Sequence, residues 1–319
     1  MRCASATKRL LIYIPLIPAA LLLFKFAIVE DLTYLQPRPT QRSYVPSFSH
    51  NTSSNQMDFY EALDKFANST VILTSTNAAF LPFAQNWVEY ARRIPNLPPI
   101  IIVAEDEIAY DVMGKYPELT TVMSKRYRSP TERLKYLSKE YIKLINKRPT
   151  YIKRMLEKNI NVLFSDVDTI WLDDPFPYLG GNYDVILQED QPKPELVYCA
   201  GFIYFRATEA TKKFVEAWLK HLAKYRNQKP DQKILNLELE KAQNLKTKVL
   251  NVELFPNGKN FFDRSWRSRH RVRPVIIHNN WVETLREKYE RFDSLNLWLI
   301  PRPTLTPLSL SVLLNKHLV

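Results

Sequence analysis

Glycine is scarce in this chain: its 319 residues include only five, against 22 prolines. Glycine-rich turns that wrap a backbone around phosphate have little to be built from, and neither a GxxxxGK[ST] nor a GxGxxG pattern occurs. Phosphate groups, if bound, must be met by a metal ion and basic side chains. Cysteine is scarcer still. Cys3 and Cys199 are the only two, and a long apolar run separates them, so no disulfide forms within the folded part and the core must hold itself together. Acid is the minority charge, with 33 Asp and Glu against 45 Lys and Arg. Setting aside residues 1–57 removes 6 basic and 2 acidic residues and leaves 39 against 31, an excess that suits an anionic ligand. No internal repeat or low-complexity block is present. What the chain does have is 45% apolar and 12% aromatic residues, enough for a sizeable core in one or two domains.

Leu10 to Phe24 contains no charged residue, and Phe26 to Val29 continues the run past Lys25. Residues 10–29 are long enough to span a bilayer, with Lys25 snorkelling toward one face. Arg2, Lys8 and Arg9 precede the span and Glu30 and Asp31 follow it. The positive-inside rule therefore predicts a cytosolic tail over 1–9 and a lumenal remainder. A cleaved signal peptide is the alternative, although no small-x-small site closes the run. Asn51-Thr52-Ser53 and Asn68-Ser69-Thr70 have the glycosylation pattern and fall on the lumenal side. Residues 30–57, rich in Pro, Ser, Thr, Asn and Gln, read as a stem. A folded domain is expected over 58–296, and the tail 297–319 carries no assignable pattern.

Within that domain helices and strands alternate. Strands are predicted at Val71 to Thr74, Ile100 to Ala104, Val162 to Phe164, Asp184 to Leu187, Val197 to Phe205, Val249 to Leu254 and Val275 to Ile277. Helices are predicted at Phe80 to Arg92, Ile108 to Tyr116, Thr131 to Asn146, Tyr151 to Lys158, Glu209 to Tyr225 and Asp231 to Ala242. The order implies an α/β fold with parallel βα units.

The most informative stretch is VLFSDVDTIWLDDPFPY, residues 162–178. A buried strand ends there in Asp166 and Asp168, at the strand end where open α/β sheets bind ligands. Alternate residues of an extended segment share a side, so both carboxylates can face one hard divalent cation such as Mg²⁺ or Mn²⁺. His278, closing the apolar segment Val275 to Ile277, is a candidate third ligand; a buried histidine satisfied by backbone is the alternative.

Four ordered segments now carry a resemblance: Asp166-Val167-Asp168 with the following Trp171-Leu172 and Asp174-Pro175-Phe176-Pro177; Gly201-Phe202-Ile203-Tyr204-Phe205-Arg206; Asp231-Gln232 with Leu235-Asn236; and His278-Asn279-Asn280-Trp281. Together the sequence resembles the nucleotide-diphospho-sugar transferases, and more narrowly glycosyltransferase family 77, which includes xylosyl- and arabinosyltransferases. The resemblance covers about Val71 to Phe292. It departs from the commoner family wording at Cys199-Ala200-Gly201, where a polar residue often precedes the glycine.

The resemblance implies a GT-A fold, a Rossmann-like mixed sheet flanked by helices. It also implies a metal-dependent retaining glycosyltransferase that uses a UDP-sugar and a glycan acceptor, in a single-pass type II Golgi membrane protein. UDP-xylose and UDP-galactose lead among donors. Asp166, Asp168 and His278 would hold the metal, which as a Lewis acid neutralises charge developing on the leaving diphosphate. Arg148 and Lys153 would contact phosphate, or form a solvated helix face. Thr74, Asn77 and Asp106, at the ends of the first two predicted strands, would line the uridine pocket, or cap helices. Gly201 would allow close approach to the sugar, or sit in a bulge. Asp190, Asp231 and Gln232 are candidates for the groups that act on sugar or acceptor hydroxyls.

Trp171, Trp218, Trp266 and Trp281 offer stacking faces, with core packing as the alternative. Arg264 to Arg273 is the densest basic stretch; a lumenal protein does not meet nucleic acid, so it reads as a solvated face or a site for anionic sugars. Two rivals remain. Haloacid-dehalogenase-like phosphatases also place two aspartates after a strand, but their threonine falls four residues after the first aspartate, where Ile170 stands. A non-catalytic lumenal glycan-binding protein could use the same metal pair. No feature of the sequence speaks to oligomeric state.

Overall fold

A computed structural model describes residues 35, 56–124, 134–225 and 228–300. The chain divides into a unit Met1–Gln36, of which only Leu35 is described, and a unit Pro37–Val319 that holds everything below. The span expected over 10–29 and nearly all of the stem lie outside the described residues. No helix among the described residues is long and apolar enough to cross a membrane.

The second unit opens with β1 (Gln56–Met57) and α1 (Phe59–Lys65), the latter started by a capping box between Asp58 and Glu61. Next come β2 (Thr70–Thr76), α2 (Leu81–Ala91), β3 (Ile100–Ala104), α3 (Glu107–Met113) and β4 (Leu119–Met123). All five residues of β3, Ile-Ile-Ile-Val-Ala, are buried, as expected for an inner parallel strand covered on both faces. Each of its isoleucine and valine side chains contributes about 1.5–3 kcal/mol by leaving water. Then follow α4 (Lys139–Ile145), α5 (Arg148–Glu157), β5 (Asn161–Ser165) and β6 (Thr169–Trp171). The second half contains β7 (Val185–Gln191), β8 (Val197–Phe205), α6 (Glu209–Lys224), α7 (Asp231–Lys241) and β9 (Thr247–Val249). Short helices α8 (Gly258–Phe261) and α9 (Arg264–Arg269), β10 (Ile276–His278) and α10 (Leu285–Ser294) finish it.

The main sheet has the order β1-β4-β3-β2-β5-β8-β7-β9. Strands β1 through β5 run parallel, β8 is antiparallel to both β5 and β7, and β9 is parallel to β7. The chain walks outward from β2 to β4, then returns to place β5 on the other side of β2. That reversal opens a crevice at the carboxyl ends of β2 and β5, the position where open α/β sheets bind ligands. β6 pairs antiparallel with β10 in a small second sheet.

Several expectations change. The helix expected from Thr131 is confined to Lys139–Ile145, because a turn at Tyr136 and Leu137 precedes it; residues 131–133 lie outside the described part. The strand expected at Val249 to Leu254 runs instead over Thr247–Val249, and Asn251 to Phe255 forms a turn closed by backbone bonds to the Asn251 carbonyl. β1 places Gln56 and Met57 in the sheet, ahead of the expected domain start. At the other end Leu297 is buried and its carbonyl accepts bonds from Asn86 and Tyr90, so the folded part runs past residue 296. Of the four stacking candidates, Trp171 and Trp218 are core residues and Trp266 stacks on His270.

Candidate functional site

β5 delivers Asp166 and Asp168 to the crevice, and the turn between β5 and β6 is braced from within. The Thr169 hydroxyl donates to the Asp166 carbonyl at 2.9 Å and accepts from Trp171 Nε1 at 3.1 Å. Thr169 is therefore a brace for the turn. Pairing of β6 with β10 sets His278 opposite Thr169, which carries the imidazole to the carboxylates. His278 Nε2 lies 3.3 Å from Asp168 Oδ1 and 3.8 Å from Asp166 Oδ2. One ligand atom from each of the three residues falls within 4.8 Å of the others.

The far side of the imidazole is fixed by Gln188. Its Nε2 donates to the carbonyls of Phe255 and Pro256, which turns its Oε1 to His278 Nδ1 at 2.9 Å. With the proton on Nδ1, the Nε2 lone pair faces the carboxylates, the arrangement a metal-ligating histidine requires. The donor set, two carboxylates and one imidazole, fits Mn²⁺ or Mg²⁺ with room left for phosphate oxygens. Gly201 completes the packing. A Cβ built there would lie 2.2 Å from Asp166 Oδ2 and 2.5 Å from His278 Cε1. Gly201 thus permits the close approach of Asp166 and His278, and it also lines the cavity in which the sequence places the sugar.

Counter-charges flank the cluster on both sides. The Arg148 guanidinium sits 3.1 Å from Asp166 Oδ1 and 3.5 Å from Asp231 Oδ2, over the Phe164 ring at 4.4 Å. Lys288 Nζ lies 2.6 Å from Asp168 Oδ2 and also donates to the Asn279 carbonyl. Burial alone would raise the Asp168 pKa, but Lys288 and His278 outweigh it and hold the carboxyl well below the usual range. Burial raises the Asp231 pKa, with Arg148 opposing. For His278 burial opposes the imidazolium, while Cys199 and Asp168 favour it by more, so its pKa is raised.

Asp190 organises the opposite wall. Its Oδ2 accepts from Gln232 Nε2 at 3.0 Å, and its Oδ1 accepts from Asn280 Nδ2 at 2.8 Å and Trp281 Nε1 at 2.9 Å. Gln232 Oε1 accepts in turn from the Ala200 N–H at 3.0 Å. The open cavity between these walls measures about 850 Å³ and its lining includes Asn77, Glu105, Arg148, Asp190 and Gln232. That volume lies within the range of small-molecule and cofactor pockets.

The structure thus brings together Asp166, Asp168, His278, Arg148, Gly201, Asp190, Asp231 and Gln232. The other candidates fare differently. Lys153 pairs with Glu157 on the exposed side of α5, away from the cavity lining. Thr74 is buried within β2, short of the lining residues Ser75 to Asn77. Asp106 spends its two oxygens on the N–H groups of Ala78 (2.7 Å) and Ala109 (2.8 Å), so it ties two βα corners together as a cap. Asn77 lines the cavity and also caps the turn at Ala78–Phe80.

Three contributors carry no signal of their own in the sequence, Lys288, Gln188 and Glu105, and Asn280 stands there only as part of the His278 segment. Thr284 and Glu287 form a capping box that announces α10, and Lys288 sits one residue later. Glu105 lines the cavity at the end of β3, buried against Lys147 and accepting from the Tyr151 hydroxyl at 3.0 Å.

Residues 95–292 match the nucleotide-diphospho-sugar transferase family. Among curated relatives, an Arabidopsis thaliana UDP-D-xylose:L-fucose alpha-1,3-D-xylosyltransferase is 30% identical over 286 residues, covering 81% of this chain and 78% of that protein. A Dictyostelium discoideum UDP-galactose:fucoside alpha-3-galactosyltransferase is 30% identical over 185 residues, covering 49% of this chain and 28% of that one. Among solved structures, the glycosyltransferase GlyE of Streptococcus pneumoniae aligns with a TM-score of 0.49 at 11% identity, covering 73% of this chain and 61% of that one. The chain belongs to the nucleotide-diphospho-sugar transferase family, as a glycosyltransferase resembling family 77.

Proposed function

We propose that this glycosyltransferase moves xylose or galactose from its UDP-sugar to a fucosyl residue of a glycan, with retention at the anomeric carbon and with a divalent cation. The observation that carries the reading is the trio Asp166, Asp168 and His278 at the crevice between β2 and β5, inside a cavity large enough for a nucleotide sugar. Bound there, Mn²⁺ or Mg²⁺ would supply Lewis-acid neutralisation of the leaving diphosphate. Arg148 orients Asp166, Lys288 orients Asp168 and favours its charged form, and Gln188 accepts at His278 Nδ1. Gln232, fixed at both ends by Asp190 and the Ala200 N–H, presents a rigid amide beside the cavity. Asn77 and Glu105, at the ends of β2 and β3, are the polar groups placed for the nucleoside.

The two relatives described above differ in donor sugar but share fucose and an α-3 linkage in their names. That agreement supports a fucosyl acceptor more strongly than either donor. The apolar run at 10–29 and its flanking charges support a type II anchor that places the catalytic part in the Golgi lumen. To test the activity, the protein is incubated with Mn²⁺, UDP-xylose or UDP-galactose, and methyl α-L-fucoside or a galactoside. A disaccharide that forms on the fucoside alone supports the reading. Transfer only to the galactoside, or none to either, rejects the acceptor assignment. Retention of the protein in membranes after carbonate washing tests the anchor.

A further inference from the structure

Two rim residues of the cavity are held in a backbone conformation that their side chains disfavour. Among the described residues, six non-glycine residues have positive φ, and four are asparagine, which tolerates that region. The other two are Leu137 at φ 59° and Trp281 at φ 63°, and both line this cavity. Strain of this kind persists where surrounding structure enforces it, commonly at ligand-binding positions. Both are also exposed, and so is Tyr136: 50%, 41% and 46% respectively. Three of the large exposed apolar side chains thus gather on the rim of one cavity. Elsewhere the indoles of Trp87, Trp171 and Trp218 are fully buried.

The exposed indole is not loose. Its Nε1–H donates to Asp190 at 2.9 Å, and Asp190 is tied to Gln232 and Asn280. The ring is therefore oriented by the same carboxylate that orients Gln232 on the cavity wall. Tyr136 packs edge-on against Tyr141 at 5.3 Å, and the charges of Glu283 and Asp190 act on its phenol. An aromatic face beside carboxylates is the chemistry that recognises a pyranose, whose C–H face is apolar and whose rim is hydroxyls that donate to oxygen acceptors. A carboxylate has about four acceptor positions, and among the described residues three donors engage Asp190, which leaves one for a hydroxyl.

We propose that Trp281 and Tyr136 form the platform of an acceptor subsite, on which one pyranose ring of the acceptor stacks while Asp190 receives one of its hydroxyls. The inference rests on the transferase reading of the site and adds where, and by which face, the acceptor is held. Asp168 and His278 are buried, so a metal held there with Asp166 would draw the donor diphosphate to that end of the cavity and leave the exposed aromatic rim to the second substrate.

The test measures binding and turnover separately in Trp281→Ala, Trp281→Phe and Tyr136→Ala, each checked by its affinity for UDP in the presence of Mn²⁺. The Kd of methyl α-L-fucoside for the protein loaded with UDP and Mn²⁺, by saturation-transfer NMR, is expected to rise about tenfold in Trp281→Ala, with a matching rise in acceptor KM. Trp281→Phe, which keeps a stacking face, is expected to recover most of that loss, while UDP affinity stays within twofold throughout. Fucoside affinity unchanged in both alanine variants overturns the platform. UDP affinity falling in step with fucoside affinity also overturns it, since the rim would then serve the donor. Failure of the transferase reading itself is visible separately, as no sugar-dependent UDP release by the unaltered protein.

Discussion

Gly201→Ala is the perturbation whose consequence the packing fixes most tightly. Gly201 lies in β8 and outside the left-handed region, so alanine brings no left-handed backbone strain and the effect comes from one methyl group. That methyl would meet Asp166 Oδ2 at 2.2 Å and His278 Cε1 at 2.5 Å, where ordinary contacts begin near 3.4 Å. Both ligands must retreat by roughly 1 Å, a misplacement that costs on the order of 10²-fold in rate. In transition-state terms this is about 2.7 kcal/mol. Overpacking should lower stability by about 1–3 kcal/mol, which for a domain of this size moves Tm by about 2–4 °C per kcal/mol. Gly180→Ala is the matched control, because no atom lies within 4 Å of the Cβ it would gain. The assay is the initial rate of UDP release across a Mn²⁺ titration, with thermal unfolding alongside. A Gly201→Ala protein that keeps both the rate and the half-saturating Mn²⁺ within twofold of Gly180→Ala would refute the packing argument.

Other substitutions read the surroundings. Gln188→Leu removes the acceptor on His278 Nδ1 and should weaken Mn²⁺ binding by about 10- to 100-fold, measured calorimetrically with UDP present; unchanged affinity would mean Gln188 is not what orients the ring. Lys288→Met leaves Asp168 without its buried partner, a loss of about 3–5 kcal/mol, and saturating Mn²⁺ should restore part of the lost Tm by supplying the missing positive charge; no fall in Tm would contradict the pairing. Burial raises the Glu105 pKa against the opposing pull of Lys147, so its stabilising contribution is full below the unfolded carboxyl value and lost as pH rises toward the folded one. Glu105→Gln should therefore gain stability relative to the unaltered protein as pH rises from about 4 to 7, and a difference that stays flat over that interval counts against it.

The metal trio was legible because its signals are local. Asp166 and Asp168 follow an apolar run, and their alternation sets them on one side; His278 closes another apolar run. Arg148 and Lys153 looked equivalent in sequence, yet five residues on a helix amount to a rotation of about 140°, so Arg148 faces the cluster and Lys153 faces water. The strand-end rule holds for Asn77 and Asp106, which follow β2 and β3, but the same side chains also accept from backbone N–H groups, and for Asp106 the cap takes both oxygens; Thr74 falls short because β2 runs on to Thr76. The strand Leu119–Met123 passed unnoticed because it is short and its two threonines blur the apolar pattern, while its pairing with β3 is long-range. The crowding of Gly201 by Asp166 and His278 is not readable in the sequence, since those side chains come from the turn after β5 and from β10, and no local pattern reports that. Trp281 was one tryptophan among several until its exposure and its bond to Asp190 set it apart.

If Asp166, Asp168 and His278 hold the divalent cation proposed for them, sugar transfer depends on it. The most direct measurement is UDP-sugar turnover by the unaltered protein and by Asp168→Asn, each with chelator and with graded Mn²⁺. Chelation is expected to abolish turnover and Mn²⁺ to restore it in the unaltered protein, while Asp168→Asn stays at least about 10²-fold slower at saturating Mn²⁺. Turnover that persists in chelator, or that survives Asp168→Asn at the original rate, would contradict it.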